Sequence, residues 1–279
     1  MNNVQELFSS LFKSADWQME KPINGRRKEK YIVSGGGLKY FLKFDVDAEI
    51  LKRLARIGVA PDVLQSGTHK GRTFIVQQFI EGSAPQKSWF ASNSERVFTL
   101  LKTYHNDPVL LQILLQRFPQ RDRNLFESEL QVLDRSIGSI KSPYFEDVNF
   151  RDSYLKFSGL GYELNAGQMA VIHNEPNNSN FLLSDDRLFM VDWDEITLGD
   201  PLMDTGPLLW WYWPFDDWPV CLDLMNIEFD DTAIAKIFWF AALVSLKAAL
   251  FFIGSGFEND HGFIADFIEA AQMRLNPRF

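Results

Sequence analysis

Cysteine is nearly absent from the 279 residues: Cys221 stands alone, alongside four histidines. That excludes a disulfide framework and leaves no Cys/His set for a zinc site. Basic residues are in deficit, 28 Lys and Arg against 37 Asp and Glu, for a net charge of −9. A nucleic-acid backbone demands a basic face, so no nucleic-acid partner is expected. The first twenty residues lack the charged-then-apolar layout of a signal peptide, and a cytoplasmic protein is expected. No internal repeat or low-complexity tract is visible. One apolar run, Ile237 to Gly254, approaches membrane-spanning length. Lys247 interrupts it, and small residues recur at Ala241, Ala242, Ser245, Ala248 and Ala249. It reads as a buried helix rather than a span, so no membrane partner is expected.

The composition is 46% apolar, enough for one large core or two small ones. Charge is unevenly spread. Residues 1–82 carry 13 Lys and Arg against 9 Asp and Glu, whereas residues 83–279 carry 15 against 28. A basic first part and an acidic second part suit a site that takes an anion from one side and a cation from the other. An ordinary solvated surface of uneven composition gives the same numbers.

Phe8 to Trp17 reads as a short amphipathic helix. Lys30–Val33 and Leu38–Phe44 read as strands joined by the glycine turn Ser34-Gly35-Gly36-Gly37. Ile50, Leu51, Leu54 and Ile57 have helical spacing; Asp45 or Asp47 offers an N-cap, and Gly58 a stop. Val63–Gln65 and Thr73–Ile80 form a further hairpin, and Glu81 to Pro85 reads as a linker. From Ser94 the pattern turns helical, over Val97–Tyr104, Val109–Arg117 and Arg123–Ile137. A connection over Gly138–Asn149 follows, then a helix near Tyr154–Leu160. Met169–His173, Phe181–Leu183 and Leu188–Val191 are short strands, and the chain after Thr205 is helical and aromatic-rich. The fold class is α+β: a small antiparallel-sheet lobe over 1–82 and a larger, mostly helical lobe over 83–279 with a hairpin insert.

The chemistry concentrates in His173-Asn174-Glu175-Pro176-Asn177-Asn178-Ser179-Asn180 and in Asp192-Trp193-Asp194. Glu175 follows a strand, where a carboxylate can face a cleft. Asn180 supplies a neutral oxygen five residues on. Asp192 sits past a strand end, opposite that loop if the two strands pair. A carboxylate plus an amide oxygen is a hard-cation set, suited to Mg²⁺. The remaining carboxylate can orient a hydroxyl and take its proton. That layout is phosphoryl transfer. Asn and Asp also crowd into plain hairpin turns. Gly199-Asp200-Pro201 and Asp204 downstream weigh against turns alone.

Together these residues resemble the HxDxxxxN loop, the following metal-binding Asp and the GDPxxD stretch of the aminoglycoside phosphotransferase/choline kinase family, over about Tyr31 to Leu209. The resemblance implies a protein-kinase-like two-lobed fold, ATP and Mg²⁺ as cofactors, and phosphoryl transfer to a hydroxyl of a small-molecule acceptor. It places Glu175 at the catalytic Asp position, and Asn180 and Asp192 at the Mg²⁺ ligands. His173, Asp200 and Asp204 fall on residues that brace the site. In the first lobe, Tyr40–Lys43 resembles the strand whose Lys holds the α/β-phosphates, with Glu49 as its helix partner and Asp47 as competitor. Ile75–Gly82 resembles the hinge strand, with the backbone at Gln78 and Ile80 facing adenine. Val97–His105 resembles the helix that follows the linker.

Two departures matter. The phosphate-covering turn, Asn24-Gly25-Arg26-Arg27-Lys28, is basic but glycine-poor; Ser34–Lys39 lacks the GxxxxGK(S/T) spacing of a P-loop. More seriously, Glu175 replaces Asp. The two acids have similar pKa values, roughly 4.3 and 3.9. The extra methylene moves the carboxylate, and misplacement on the order of 1 Å costs ~10²-fold. Either the pocket has adjusted and Glu175 is the base, or the chain is a nucleotide-binding pseudokinase with weak transfer. Lys43 alternates with apolar residues, so a solvent-facing lysine is the plainer reading of that residue alone. Trp210, Trp211 and Trp213, with Asp194, are candidates for acceptor contact. Aromatic faces plus acids suit a cationic amino alcohol or an aminoglycoside-like compound, and the same tryptophans suit helix packing. A metal-dependent hydrolase built on Glu175, Asp192 and Asp194 is a third reading, short of the ligands a two-metal site needs.

Overall fold

The computed structural model describes residues 2–12, 16–22, 28–118, 125–165, 167, 169–256 and 262–273. Its elements in chain order begin with helix α1 (Asn2–Leu11) and strands β1 (Gln18–Glu20), β2 (Lys30–Gly35) and β3 (Leu38–Phe44). Helix α2 (Ala48–Arg56) and strands β4 (Val63–His69) and β5 (Arg72–Gln78) follow. Then come α3 (Lys87–Ala91), α4 (Ser94–His105), α5 (Pro108–Arg117), α6 (Leu125–Ser139) and α7 (Val148–Glu163). Strands β6 (Ala170–Ile172), β7 (Phe181–Ser184), β8 (Arg187–Met190) and β9 (Thr197–Gly199) precede α8 (Leu202–Tyr212), α9 (Trp218–Leu224), α10 (Asp231–Gly254) and α11 (Phe263–Met273).

The chain forms two compact units, Met1–Pro85 with Ser179–Glu195, and Gln86–Asn178 with Ile196–Phe279. A linear split at 82/83 assigns the β7–β8 hairpin to the second part; in the structure it belongs to the first. The cause is local backbone pairing. Ser83 bridges Leu183, and the Met190 N–H donates to the Val59 carbonyl at 2.8 Å. Gly82 permits the approach, since a Cβ there would stand 2.6 Å from the Leu183 carbonyl oxygen.

The first unit is built on an antiparallel sheet in the order β1-β2-β3-β5-β4. Gly36 and Gly37, at φ 59° and 78°, make a two-residue turn that sets Gly35 opposite Leu38 and, further along, Lys30 opposite Lys43. Such turns need positive φ at both positions, which glycine supplies without steric cost. Helix α2 starts where the Asp47 side chain accepts from the Glu49 and Ile50 N–H groups, so Asp47, not Asp45, is the cap. It buries Ile50, Leu51 and Leu54. The core beneath α1 gathers Phe8, Trp17, Val33, Tyr40 and Leu42. Trp17 lies beyond the helix expected over Phe8–Trp17. It packs as a loop side chain against Phe8 and Tyr40, at 5.4 and 5.9 Å between ring centroids. Each fully buried large apolar side chain stabilises by roughly 1.5–3 kcal/mol.

The second unit is helical around α10. This is the one helix among the described residues with the length and composition to cross a membrane; here it packs against α7, α8 and α11. Gly206 lets α8 close onto it: a Cβ there would meet the Ile237 backbone at 3.1 Å. Trp239 of α10 stacks on Phe157, meets Phe126 edge-on, and donates its indole N–H to the Phe157 carbonyl at 3.0 Å. That bond satisfies the ring's polar atom inside an apolar core. Short strands β6 and β9 pair antiparallel, Ala170 with Gly199 and Ile172 with Thr197.

Candidate active site

In the first unit, two lysines converge on one carboxylate. The hairpin register puts Lys30 and Lys43 side by side, and both side chains are buried, 7% and 6% exposed. The Lys30 ammonium donates to Asp192 Oδ1 and Oδ2 at 2.8 and 3.0 Å. Lys43 reaches Asp192 Oδ1 at 3.2 Å and also contacts Asp194. Lys28 approaches Asp194 at 3.5 Å. Burial pushes the Asp192 carboxyl upward, but the Lys43 charge and the Lys30 hydrogen bond outweigh it and hold the group at about 2. Asp192 is therefore a carboxylate at any physiological pH. It adopts φ 64°, a left-handed conformation uncommon outside glycine and most tolerated by Asn and Asp.

Asn180 is held next to this cluster. Strands β7 and β8 pair Phe181 with Met190, and the Val191 N–H donates to the Asn180 carbonyl at 2.9 Å. The hairpin thereby brings together, at one strand end, an amide residue and the carboxylate twelve positions later. A carboxylate and an amide oxygen with phosphate oxygens or waters completing the sphere fit a small hard cation. Among the described residues, no group of three or more His, Cys, Asp or Glu side chains is placed to hold a metal, so the two-metal hydrolase lacks its ligand set.

In the second unit the loop after β6 is clamped from beneath. Asp204 of α8 is fully buried and accepts four bonds. They come from the His173 N–H at 2.7 Å, the Asn174 N–H at 2.8 Å, the Tyr104 hydroxyl at 2.8 Å and His105 Nε2 at 3.0 Å. Burial alone would raise its pKa; the His105 bond and charge, with the His173 contacts, lower it instead. Tyr104 goes the other way, its hydroxyl pushed well up by burial and by Asp204. Asn174 stands at φ 70°, and His173 Nδ1 accepts the Glu175 N–H at 3.3 Å. Glu175 is thus presented, half-buried, on a loop whose backbone donors are fixed. Asp200 is tied to buried Lys236 at 2.7 Å and to the Gly167 and Leu202 N–H groups.

The remaining candidates are placed as follows. Glu49 is an exposed first-turn residue of α2, its backbone N–H on the Asp47 cap. Gln78 closes β5 and spends its N–H on the Asp62 carbonyl at 2.9 Å; Ile80 lies two residues beyond the strand, half-buried. Trp213 is a packing residue, 4% exposed, against Phe90 and Phe98 with its indole N–H on Ser94 at 2.7 Å. Trp210 meets Phe238 edge-on, while Trp211 keeps a buried indole nitrogen with no hydrogen-bond partner among the described residues. Residues 24–27 of the basic turn lie outside the described residues.

Sequence reasoning missed Lys30, Tyr212 and Lys236. Tyr212 stacks on Phe90, and its hydroxyl accepts the Asn178 N–H at 3.1 Å, tying α8 to the loop. A signal existed for Lys30: a two-residue turn at Gly36-Gly37 fixes it opposite Lys43.

A buried lysine pair on an ionised Asp192, an acid and an amide residue on one hairpin, and a loop clamped by a buried acid accompany a family match. Residues 21–234 match the phosphotransferase enzyme family, and the chain belongs to it. Solved structures share the fold. A choline/ethanolamine kinase family protein from Mesorhizobium loti is 18% identical, with a TM-score of 0.65 over 91% of this chain and 90% of that one. APH(2")-IIia, solved with GDP and kanamycin, is 16% identical, with a TM-score of 0.67 over 100% and 98%. A thermostable mutant of the aminoglycoside phosphotransferase APH(4)-Ia, solved with ADP and hygromycin B, is 12% identical, with a TM-score of 0.65 over 98% of each.

Proposed function

We propose that the chain moves the γ-phosphoryl group of ATP or GTP, with Mg²⁺, onto a hydroxyl of a small molecule. The observation that carries this reading is the convergence of Lys30 and Lys43 on an ionised Asp192, with Asn180 held beside it. Lys43 binds phosphate oxygens as a point charge. Asp192 and Asn180 would hold the cation, which would supply charge neutralisation to the phosphates. Glu175 orients the acceptor hydroxyl and takes its proton as the acceptor oxygen bonds to the γ-phosphorus and the bond from that phosphorus to the β–γ bridging oxygen breaks, the oxygen leaving on the nucleoside diphosphate. Asp204 holds the loop that carries Glu175. The names of the similar structures, choline/ethanolamine kinase and enzymes solved with kanamycin or hygromycin B, support an amino alcohol or an aminoglycoside-like acceptor. Trp210 and Trp211 are the aromatic faces offered to such a cation.

The test is a nucleotide-consumption screen over amino alcohols, aminoglycosides and sugars, with Asp192→Ala as control. Turnover with one acceptor class that disappears in Asp192→Ala supports the reading. Consumption that persists in that variant contradicts it.

The Glu at position 175 favours a second reading, nucleotide binding with weak transfer. Glu175→Asp and Glu175→Gln separate the two. A base at this position predicts a loss of roughly 10²-fold or more in kcat for Gln. Equal turnover of Gln and wild type would remove Glu175 from the chemistry.

A further inference from the structure

We propose that Lys30 is a second phosphate-binding lysine, acting with Lys43 on the polyphosphate of a nucleotide. The inference rests on the nucleotide reading above and adds to it a residue outside the recognised motifs.

Like charges directly opposite on neighbouring strands repel, and burying an ammonium is costly unless it is paired. Yet Lys30 and Lys43 are cross-strand partners with side chains only 7% and 6% exposed. Asp192 would be neutralised by one of them. Among the described residues the cluster instead holds three ammoniums, Lys28, Lys30 and Lys43, against two carboxylates, Asp192 and Asp194, an excess of one positive charge. A cation bound at Asp192 would enlarge that excess, so the arrangement is matched to an added anion.

The donor count agrees. An ammonium has three N–H donors. Among the described residues, Lys30 spends two on the oxygens of Asp192, leaving one. Lys43 divides itself between Asp192 and Asp194 and likewise retains one. Two remaining donors, on side chains that are cross-strand partners on β2 and β3, suit adjacent phosphate oxygens. They hold a polyphosphate better than a single phosphate. Asp194 anchors Lys43 independently, so Lys30 is the lysine whose position depends on Asp192.

Calorimetric titration of MgATP, MgGTP and adenosine into wild type, Lys30→Met, Lys30→Arg and Lys43→Met tests this, with folding checked by near-UV circular dichroism. Lys30→Met is expected to weaken the preferred triphosphate roughly tenfold or more, as loss of a charge-assisted bond does. Adenosine affinity should stay within about twofold, and Lys30→Arg should retain most of the triphosphate affinity. If Lys30→Met does not fold, Lys30→Gln takes its place with the same expectation. Wild-type triphosphate affinity in the neutral variant would show Lys30 to be only a counter-ion of Asp192 and overturn the inference, leaving the nucleotide reading intact. Failure of the wild type to bind either triphosphate would overturn both.

Discussion

Asp192 and Asp204 are both buried enough to require partners, and they find partners of opposite kinds. Asp192 is held by two lysine side chains and keeps 29% of its side chain exposed. Asp204 is enclosed and held by two backbone N–H groups, a phenol and a histidine. Ammonium groups on flexible stems can exchange one anion for another at little structural cost. Backbone donors cannot turn away without unfolding the loop that bears them. The first arrangement suits a carboxylate that shares its cations with a ligand. The second suits a carboxylate that fixes the position of Glu175. The same side chain therefore meets mobile ammonium groups in one unit and fixed loop donors in the other, and the partners, not the residue type, set what each is suited to.

The comparison breaks most visibly at Asp204. Asp204→Ala is expected to lower the stability by about 3–5 kcal/mol, because it removes the buried acceptor shared by Tyr104, His105 and two N–H groups. Asp204→Asn, which retains one oxygen, is expected to cost about 1–3 kcal/mol. Urea unfolding followed by tryptophan fluorescence measures both. A loss under 1 kcal/mol for the alanine variant would show that the brace is not structural.

A smaller effect is expected from acid. The folded-state pKa of Asp192, about 2, lies below its ordinary 3.8. A depressed carboxylate contributes stability that is present above its unfolded pKa and is lost as pH falls through the folded one. The contribution of Asp192 should thus be full above about pH 4 and vanish toward pH 2. Allowing for the screening its exposed part receives, it amounts to roughly 1–2 kcal/mol. Asp192→Asn should flatten that part of a plot of urea midpoint against pH. An unchanged slope would show that the lysines do not hold the carboxylate down.

Much of this was legible in the chain. The spacing of Ile50, Leu51 and Leu54 marked α2, the glycine turn marked the β2–β3 hairpin, and the loop from His173 to Asn180 with Asp192 marked the residues on which the proposed site rests. Strands β1 and β9 were not legible, since three residues carry no usable period; backbone ladders to β2 and β6 define them. Helix α7 begins at Val148, inside what read as a connection, because the Asp147 carboxylate caps the Asn149 and Phe150 N–H groups. The grouping of the β7–β8 hairpin with the first unit depends on the bonds at Ser83 and Val59, far apart in sequence. Trp213 illustrates the limit of composition: an aromatic among acids reads equally as a cation site or as core, and the structure makes it core.

The most direct measurement is calorimetric titration of the preferred Mg²⁺-nucleotide into Asp192→Asn and Asp204→Asn, with the affinity expressed per folded molecule. The account predicts a loss on the order of tenfold or more in Asp192→Asn, where metal and lysine contacts are both disturbed. It predicts an affinity within about twofold of wild type in Asp204→Asn, whose deficit is in stability. Unchanged binding in Asp192→Asn, or a loss in Asp204→Asn as large as that in Asp192→Asn, would contradict the division of labour between the two carboxylates.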